Sequence, residues 1–307
     1  MSELVEGIIV ACHRDEWEIA LDSGEIIRSS LRGRHYIAFT TRDKPIAPGD
    51  RVRLEHLADG AGVINEVLPR ETVLSRRLPH SKRAIEQVVV ANAEQLIAVA
   101  CLAEPRLNRR LLDRFLVIAE EAGLSSVVVL NKIDLAPDAE CRAVARAYEL
   151  AGYPVLLACA LDGRGVRELA AHLAGKFSVL TGPSGAGKSS LLNAVEPELG
   201  IRVREVSRKT GKGRHTTSSV TVFRLSGGGL VVDTPGFREL GLWRVRPDDL
   251  AGLFPEFERF APQCRFRGCS HVPEPGCAVK EAVAEGDIAP ERYESYLKLR
   301  SEVAAPE

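Results

Sequence analysis

At 307 residues the chain has room for two or three domains, and its 45% hydrophobic and 27% charged residues exclude an intrinsically disordered chain. A formal net charge of −1 carries no global mark of nucleic-acid binding. No apolar run approaches the ~18 residues of a membrane span, and the start MSELVEGIIV has neither a basic leader nor a cleavage site, so a cytoplasmic protein without membrane contact is expected.

Residues 1–72 hold short alternating segments, EGIIVAC, EWEIALD, EIIRSS, HYIAFT, DRVRLEHL and GVINEVL, broken by Asp22-Ser23-Gly24 and Pro48-Gly49-Asp50. Many short strands at this spacing predict a small closed β-barrel, OB-like or SH3-like. Arg76, Arg77, Lys82 and Arg83 follow as a basic cluster, either an RNA contact or a solvated loop. From about residue 85 the grammar becomes strand–helix: VVVAN and QLIAVAC as strands, RRLLDRFLVIAEEAG as a helix, then SSVVVL, CRAVARAYELAG, PVLLACA, VRELAAHLAG, FSVLTG and LVVD. Strands alternating with helices predict a parallel sheet covered on both faces, a domain over 73–245. Residues 246–307 change again, to Phe- and Pro-containing segments, a cysteine cluster and a last helix near APERYESYLKLRSEV.

The α/β region carries the chemistry. In VVVLNKIDL, a carboxylate at the end of N-K-x-D can accept both N1–H and N2–H of guanine, a pair adenine does not offer. Asp134 takes that role, Asn131 ties the loop, and the Lys132 stem lies over the base. Cys159-Ala160-Leu161, after the strand PVLLA, resembles an S-A-[KL] loop whose backbone N–H meets guanine O6. GPSGAGKSS follows the strand FSVLT and opens a helix, the context of a phosphate-binding P-loop. Gly182, Gly185 and Gly187, with Pro183, Ser184 and Ala186 between them, turn the backbone so that N–H groups face phosphate. Lys188 reaches the β/γ-phosphates, Ser189 offers its hydroxyl to Mg²⁺, and Ser190 continues the helix start. Arg202, Arg204, Arg208, Lys209, Lys212 and Arg214 then crowd a stretch opposed only by Glu205. In LVVDTPG, Asp233 sits at a strand end to hold Mg²⁺ through water, and the N–H of Gly236 reaches the γ-phosphate. Together the three motifs predict a GTPase. A GDP/GTP-sensing RNA-binding module with negligible turnover and a P-loop kinase of small substrates are the competing readings; N-K-I-D and the missing lid-like insertion argue against the kinase. The motif order is unusual, because N-K-I-D and C-A-L precede the P-loop. A circularly permuted GTPase can still build the same sheet, since domain termini often lie close together.

Seven cysteines is an odd number for a disulfide framework. Cys12, Cys101, Cys141 and Cys159 stand alone among apolar neighbours, as small buried hydrophobes do. Cys264, Cys269, His271 and Cys277 fall within fourteen residues and offer three thiolates and an imidazole, enough for a closed, structural tetrahedral Zn²⁺ site. An Fe–S or redox site is the alternative.

A permuted GTPase between a barrel and a Cys/His cluster resembles the ribosome small-subunit-dependent GTPase A family. LPRETVLSR at 68–76, VVVANAEQL at 88–96, LLDRFLV at 111–117, GKGRHTT at 211–217, FPEF at 254–257 and CRFRGCSHVPEPGC at 264–277 carry the resemblance over nearly the whole chain. Ala93-Glu94 is a mild departure, where the family more often has Val or Ile and Asp. The resemblance implies a multidomain, cytoplasmic bacterial enzyme: an OB-fold barrel, a permuted P-loop GTPase domain and a mainly α zinc domain. It implies hydrolysis of GTP to GDP late in maturation of the small (30S) ribosomal subunit, by a monomer whose barrel and zinc domain touch 16S rRNA and whose turnover the subunit stimulates. It maps the switch I threonine to Thr216 or Thr217, with Thr217 preferred, and a catalytic histidine to His215. The residues agree on one point: where Ras-type enzymes place a water-orienting glutamine, this chain has Phe237, so another group must hold the water, and an imidazole is chemically suited.

Overall fold

The computed structural model describes residues 4–13, 16–31, 46–57, 60–77, 86–201, 220–233 and 241–305. The expected strand HYIAFT, the basic stretch 202–214, Lys82, Arg83, His215, Thr216, Thr217, Gly236 and Phe237 lie outside the described residues. Tertiary contacts divide the chain into two compact units. The first comprises Met1–Glu94, Leu173–Val179 and Ser207–Gly241, and the second Gln95–His172, Leu180–Val206 and Leu242–Glu307.

The first unit opens with strands β1 (Leu4–Cys12), β2 (Trp17–Leu21), β3 (Ile26–Leu31), β4 (Arg51–His56) and β5 (Gly62–Val67). Antiparallel pairs β1–β2, β2–β3, β4–β5 and β1–β4, with the parallel pair β3–β5, close them into a five-stranded barrel. Closure through a parallel third–fifth pair is OB-like and decides between the two expected barrels. Period-two alternation turns Ile9, Trp17, Ile19, Ile27, Val52, Leu54 and Ile64 into one core. Next come β6 (Val73–Arg77) and β7 (Glu86–Ala91), which pair antiparallel. The sequence pattern predicts VVVAN, now β7, in the parallel sheet; the neighbouring β6 pairs with it antiparallel instead. Pro48-Gly49-Asp50 packs onto the end of β7. Gly49 has φ +90°, and a Cβ there would stand 2.0 Å from the Ala91 carbonyl oxygen, so only glycine fits. Arg70 clamps the buried Asp50 carboxylate with bonds of 2.6 and 2.7 Å.

In the second unit β8 (Gln95–Ala100), β9 (Ser125–Leu130) and β10 (Val155–Leu157) run parallel. They are linked by helices α1 (Arg109–Glu121) and α2 (Asp138–Leu150). Every residue of β8 is buried, as expected of a strand covered on both faces. The Asn108 side chain caps α1 by accepting from Leu111 N at 3.0 Å. Helix α3 (Val166–Leu173) leads to β11 (Phe177–Thr181), whose first three residues belong to the first unit, and α4 (Lys188–Val195) follows it in the second. The chain returns to the first unit as an antiparallel hairpin, β12 (Thr221–Arg224) and β13 (Leu230–Asp233). There Thr221 pairs opposite Ala11, so β1 serves the barrel and this hairpin at once. The C-terminal part of the second unit is mainly helical: a one-turn helix Pro255–Glu258, then α5 (Ala278–Glu285) and α6 (Pro290–Val303). Among the described residues no helix is long and apolar enough to cross a membrane.

Candidate nucleotide site and metal centre

The loop after β11 is a tight cradle. Gly182 (φ +146°) lets the backbone pass Val99, whose carbonyl oxygen would lie 2.1 Å from a Cβ. Gly185 has φ +84° and Gly187 φ +88°. Ala186 N bonds Pro183 O at 3.2 Å, and α4 begins at Lys188 directly after the left-handed Gly187. Lys188 Nζ donates to the carbonyls of Gly182 (2.9 Å) and Pro183 (3.2 Å), which centres its charge on the cradle. Ser184 is exposed, and Ser189 and Ser190 are half-buried in the first turn of α4.

Asn131, 1% exposed, joins three loops. Its Nδ2 donates to Ala186 O at 2.8 Å, its Oδ1 accepts Ala160 N at 3.3 Å, and its backbone N–H bonds Ala100 O at 2.8 Å. A Cβ on Gly187 would sit 2.3 Å from that Nδ2, so the glycine makes room for the tie. Lys132 adopts the left-handed conformation (φ +60°) and donates to Glu104 O at 2.7 Å. Asp134 is exposed at the mouth of the loop, and the Cys159 thiol donates to its Oδ1 at 3.1 Å. Burial, and after it the bond to Asp134, pushes the Cys159 thiol above its ordinary pKa, which keeps it a neutral donor. Beyond the backbone contact the sequence predicts for Cys159, its side chain also orients the carboxylate. Ser and Cys share this donor capacity, and the C-A-L match to S-A-[KL] carries that signal. Asp233 ends β13 in the first unit, across from Thr221 in the hairpin register.

The four expected metal ligands meet. All ligand atoms of Cys264, Cys269, His271 and Cys277 lie within 4.8 Å of one another. Cys264 Sγ to His271 Nδ1 is 3.6 Å, His271 Nδ1 to Cys277 Sγ 3.4 Å, and Cys264 Sγ to Cys277 Sγ 3.9 Å. Tetrahedral zinc with bonds of about 2.0–2.3 Å sets ligand–ligand edges of roughly 3.5–3.8 Å, so the donors fit. None of the seven cysteines is in a disulfide. Burial, with the other thiols adding, pushes Cys269 up to about 12, and burial lowers His271. A cation supplies the opposite charge this pocket lacks. Tyr293 and Tyr296 hold the ligand loop through bonds to His271 O (2.7 Å) and Ser270 O (2.6 Å). Phe257 packs edge-on to the imidazole at 5.7 Å.

One residue outside every motif ties α6 to α1 and to the one-turn helix Pro255–Glu258. Arg292 of α6, 1% exposed, donates to Asp113 of α1 (2.6 Å) and to both oxygens of Glu256 (2.7 and 3.1 Å). Its guanidinium lies 4.6 Å from the Phe254 ring centroid and 5.6 and 5.5 Å from those of Tyr148 and Tyr153. Desolvation opposes its charge, and the two carboxylates more than offset that, leaving its pKa raised. Buried positions 292, 295, 296 and 299 form the inner stripe of α6, so an arginine on an otherwise buried helical stripe was the available signal.

A parallel α/β sheet, a P-loop, and base-recognition loops that precede that P-loop in the chain define a circularly permuted GTPase. The chain belongs to the RsgA GTPase family, whose model matches residues 67–243. It is 42% identical to a protein of Gemmatimonas aurantiaca named small ribosomal subunit biogenesis GTPase RsgA, over 99% of each chain. The crystal structure of YjeQ from Thermotoga maritima superposes with a TM-score of 0.80 at 36% identity, over 99% of this chain and 100% of that one. YloQ, described as a circularly permuted GTPase, gives a TM-score of 0.77 at 29% identity over 99% and 97%.

Proposed function

We propose that this chain hydrolyses GTP during late maturation of the small (30S) ribosomal subunit, and that binding the subunit through 16S rRNA stimulates it. The observation that carries the guanine-nucleotide reading is the Asn131 tie, which holds the phosphate loop, N-K-I-D and C-A-L in one cluster. The family, and the names its relatives bear, support the ribosomal role.

In this reading Asp134 reads the base, with Lys132, Cys159 and Ala160 around it. Residues 182–190 wrap the phosphates. Ser189, Asp233 and Thr217, or Thr216, hold Mg²⁺, and Gly236 senses the γ-phosphate. When bound, the metal would supply Lewis-acid charge stabilisation at the phosphates. Lys188 neutralises the developing charge, and His215 places the attacking water. One structural Zn²⁺ fills the Cys264–Cys269–His271–Cys277 set. Residues 1–72 and 246–307 serve as rRNA-binding domains about the GTPase core of 73–245, in a monomeric cytoplasmic protein. GTP turnover titrated with purified small and large subunits tests the proposal. Saturable stimulation by small subunits alone is expected, and equal rates with both would sink it. His215→Ala should lower the stimulated rate while leaving nucleotide affinity within a few-fold; normal stimulated hydrolysis by that variant would remove the histidine from the mechanism.

A further inference from the structure

Between the first two metal ligands the chain exposes Arg265, Phe266, Arg267 and Gly268 in succession. Phe266 is 44% exposed, the one exposed large apolar side chain among the described residues of the C-terminal part, 242–305. A lone exposed ring commonly means nothing; three further observations set this one apart.

First, the segment is held at both ends. Cys264 and Cys269 anchor it to the metal cluster, and Arg265 N bonds Gly276 O at 3.0 Å. Gly276 has φ +65°, and a Cβ there would come within 3.2 Å of Arg265 Cβ and 3.4 Å of its Cδ, so the glycine lets the arginine stem lie flat on the loop. Second, the Arg265 guanidinium lies over the Phe266 ring, 5.5 Å from the centroid, which starts a cation–π stack. Third, the charge is unspent. Exposed Arg164 and Arg246 are each forked onto a neighbouring carboxylate. Among the described residues, no carboxylate pairs with Arg265 or Arg267.

We propose that Phe266, flanked by Arg265 and Arg267, is a stacking platform for one unpaired base of single-stranded RNA, with the two arginines on the adjoining phosphates. An aromatic face with an arginine plane is the surface on which splayed-out bases stack, and free guanidinium groups supply the backbone complement. A duplex, whose bases are already stacked, offers the ring nothing. A protein partner would need far more apolar area than one ring presents. The proposal rests on the rRNA reading above and narrows it to an unpaired nucleotide at this loop.

The test uses the full-length protein with its metal content verified, and a fluorescein-labelled twelve-nucleotide oligo(A) RNA, free or annealed to its complement. Wild type should bind the single strand more tightly than the duplex. Phe266→Ala should weaken single-strand binding about tenfold with an unchanged salt slope, and Phe266→Leu should weaken it equally, because leucine keeps the apolar bulk without the π face. Phe266→Trp should bind at least as well, with its added tryptophan emission quenched by the strand. Arg267→Ala should weaken binding and reduce the salt slope by about one. Wild type that binds no single strand, Phe266→Ala that binds as wild type, or Phe266→Leu that retains full affinity would each overturn the platform. Loss of small-subunit binding in Phe266→Ala with oligo(A) binding intact would assign the surface to a ribosomal protein and overturn it too. Failure of small subunits to stimulate wild-type turnover would instead strike the proposed function, while the oligonucleotide titrations still decide the platform.

Discussion

At the residue scale, Asn131 and Asp134 stand three positions apart in one loop, and their substitutions should separate. If Asp134 reads guanine as proposed, Asp134→Asn removes two hydrogen bonds to a charged acceptor, worth roughly 1.5–3 kcal/mol each, and GTP affinity should fall about two to four orders of magnitude. Xanthine nucleotides should gain, since the new amide donors match a carbonyl. Asn131→Ala instead cuts the side-chain bonds to Ala186 O and Ala160 N. At about 1 kcal/mol each it should weaken GTP and xanthosine triphosphate alike by roughly tenfold to a hundredfold. Titrating both nucleotides against both variants checks the assignment; a base-selective loss in Asn131→Ala, or none in Asp134→Asn, would reverse it.

At the element scale, the metal loop and α6 form one cooperative piece. Metal analysis should find about one zinc per chain, and Cys269→Ser should lose it and loosen the C-terminal elements, because binding energy at such a site is folding energy. A metal-free variant with unchanged protease resistance across 246–305 would refute this. Burial raises the Tyr296 hydroxyl to about 12, so it remains a donor to Ser270 O at neutral pH. Tyr296→Phe should therefore cost about 1 kcal/mol, read as faster zinc release to a chelator with the fold intact. Arg292 carries more. Truncating it leaves Asp113 and Glu256 buried without a counter-charge, and Arg292→Ala should destabilise the second unit by about 3–5 kcal/mol in denaturant unfolding. A change below 1 kcal/mol would show that the pair relaxes into solvent.

For the whole molecule, the order of motifs has a consequence. The chain leaves the first unit at Gly241, five residues past the end of D-T-P-G, and enters the second at Leu242. The segment expected to sense γ-phosphate through Gly236 is thus covalently continuous with the metal-bearing part of the chain. Loss of a γ-phosphate releases such loops, so the nucleotide state should reach past Trp243. The contrary pull is the Arg292 hub, which fastens α6 to α1 through the buried Asp113 carboxylate. Hydrogen exchange with GDP against a non-hydrolysable GTP analogue decides: coupling predicts protection changes through 205–245 and beyond Trp243. Changes that stop at Gly236 would leave the permutation without a mechanical role.

Local chemistry alone determined the described barrel strands β1 to β5, the alternation of β8 to α4, the P-loop turn and the Cys/His cluster. Each depends on short-range period, turn residues or ligand spacing, all written within about fifteen consecutive residues. Other features depend on partners distant in the chain, and only the tertiary structure decided them. The parallel pairing of β3 with β5 closes the barrel in OB-like order, and β7 turns away from the parallel sheet to pair with β6. The short strand TVFR is recognisable as β12 only because β13 and β1 flank it. Asn131 acquires its role from Ala186, 55 residues on, and Arg292 acquires its charge partner from Asp113, 179 residues back. Sequence period reports which face of an element is buried; which element buries it, and which buried charge meets which, is set by chain closure and desolvation over the whole fold.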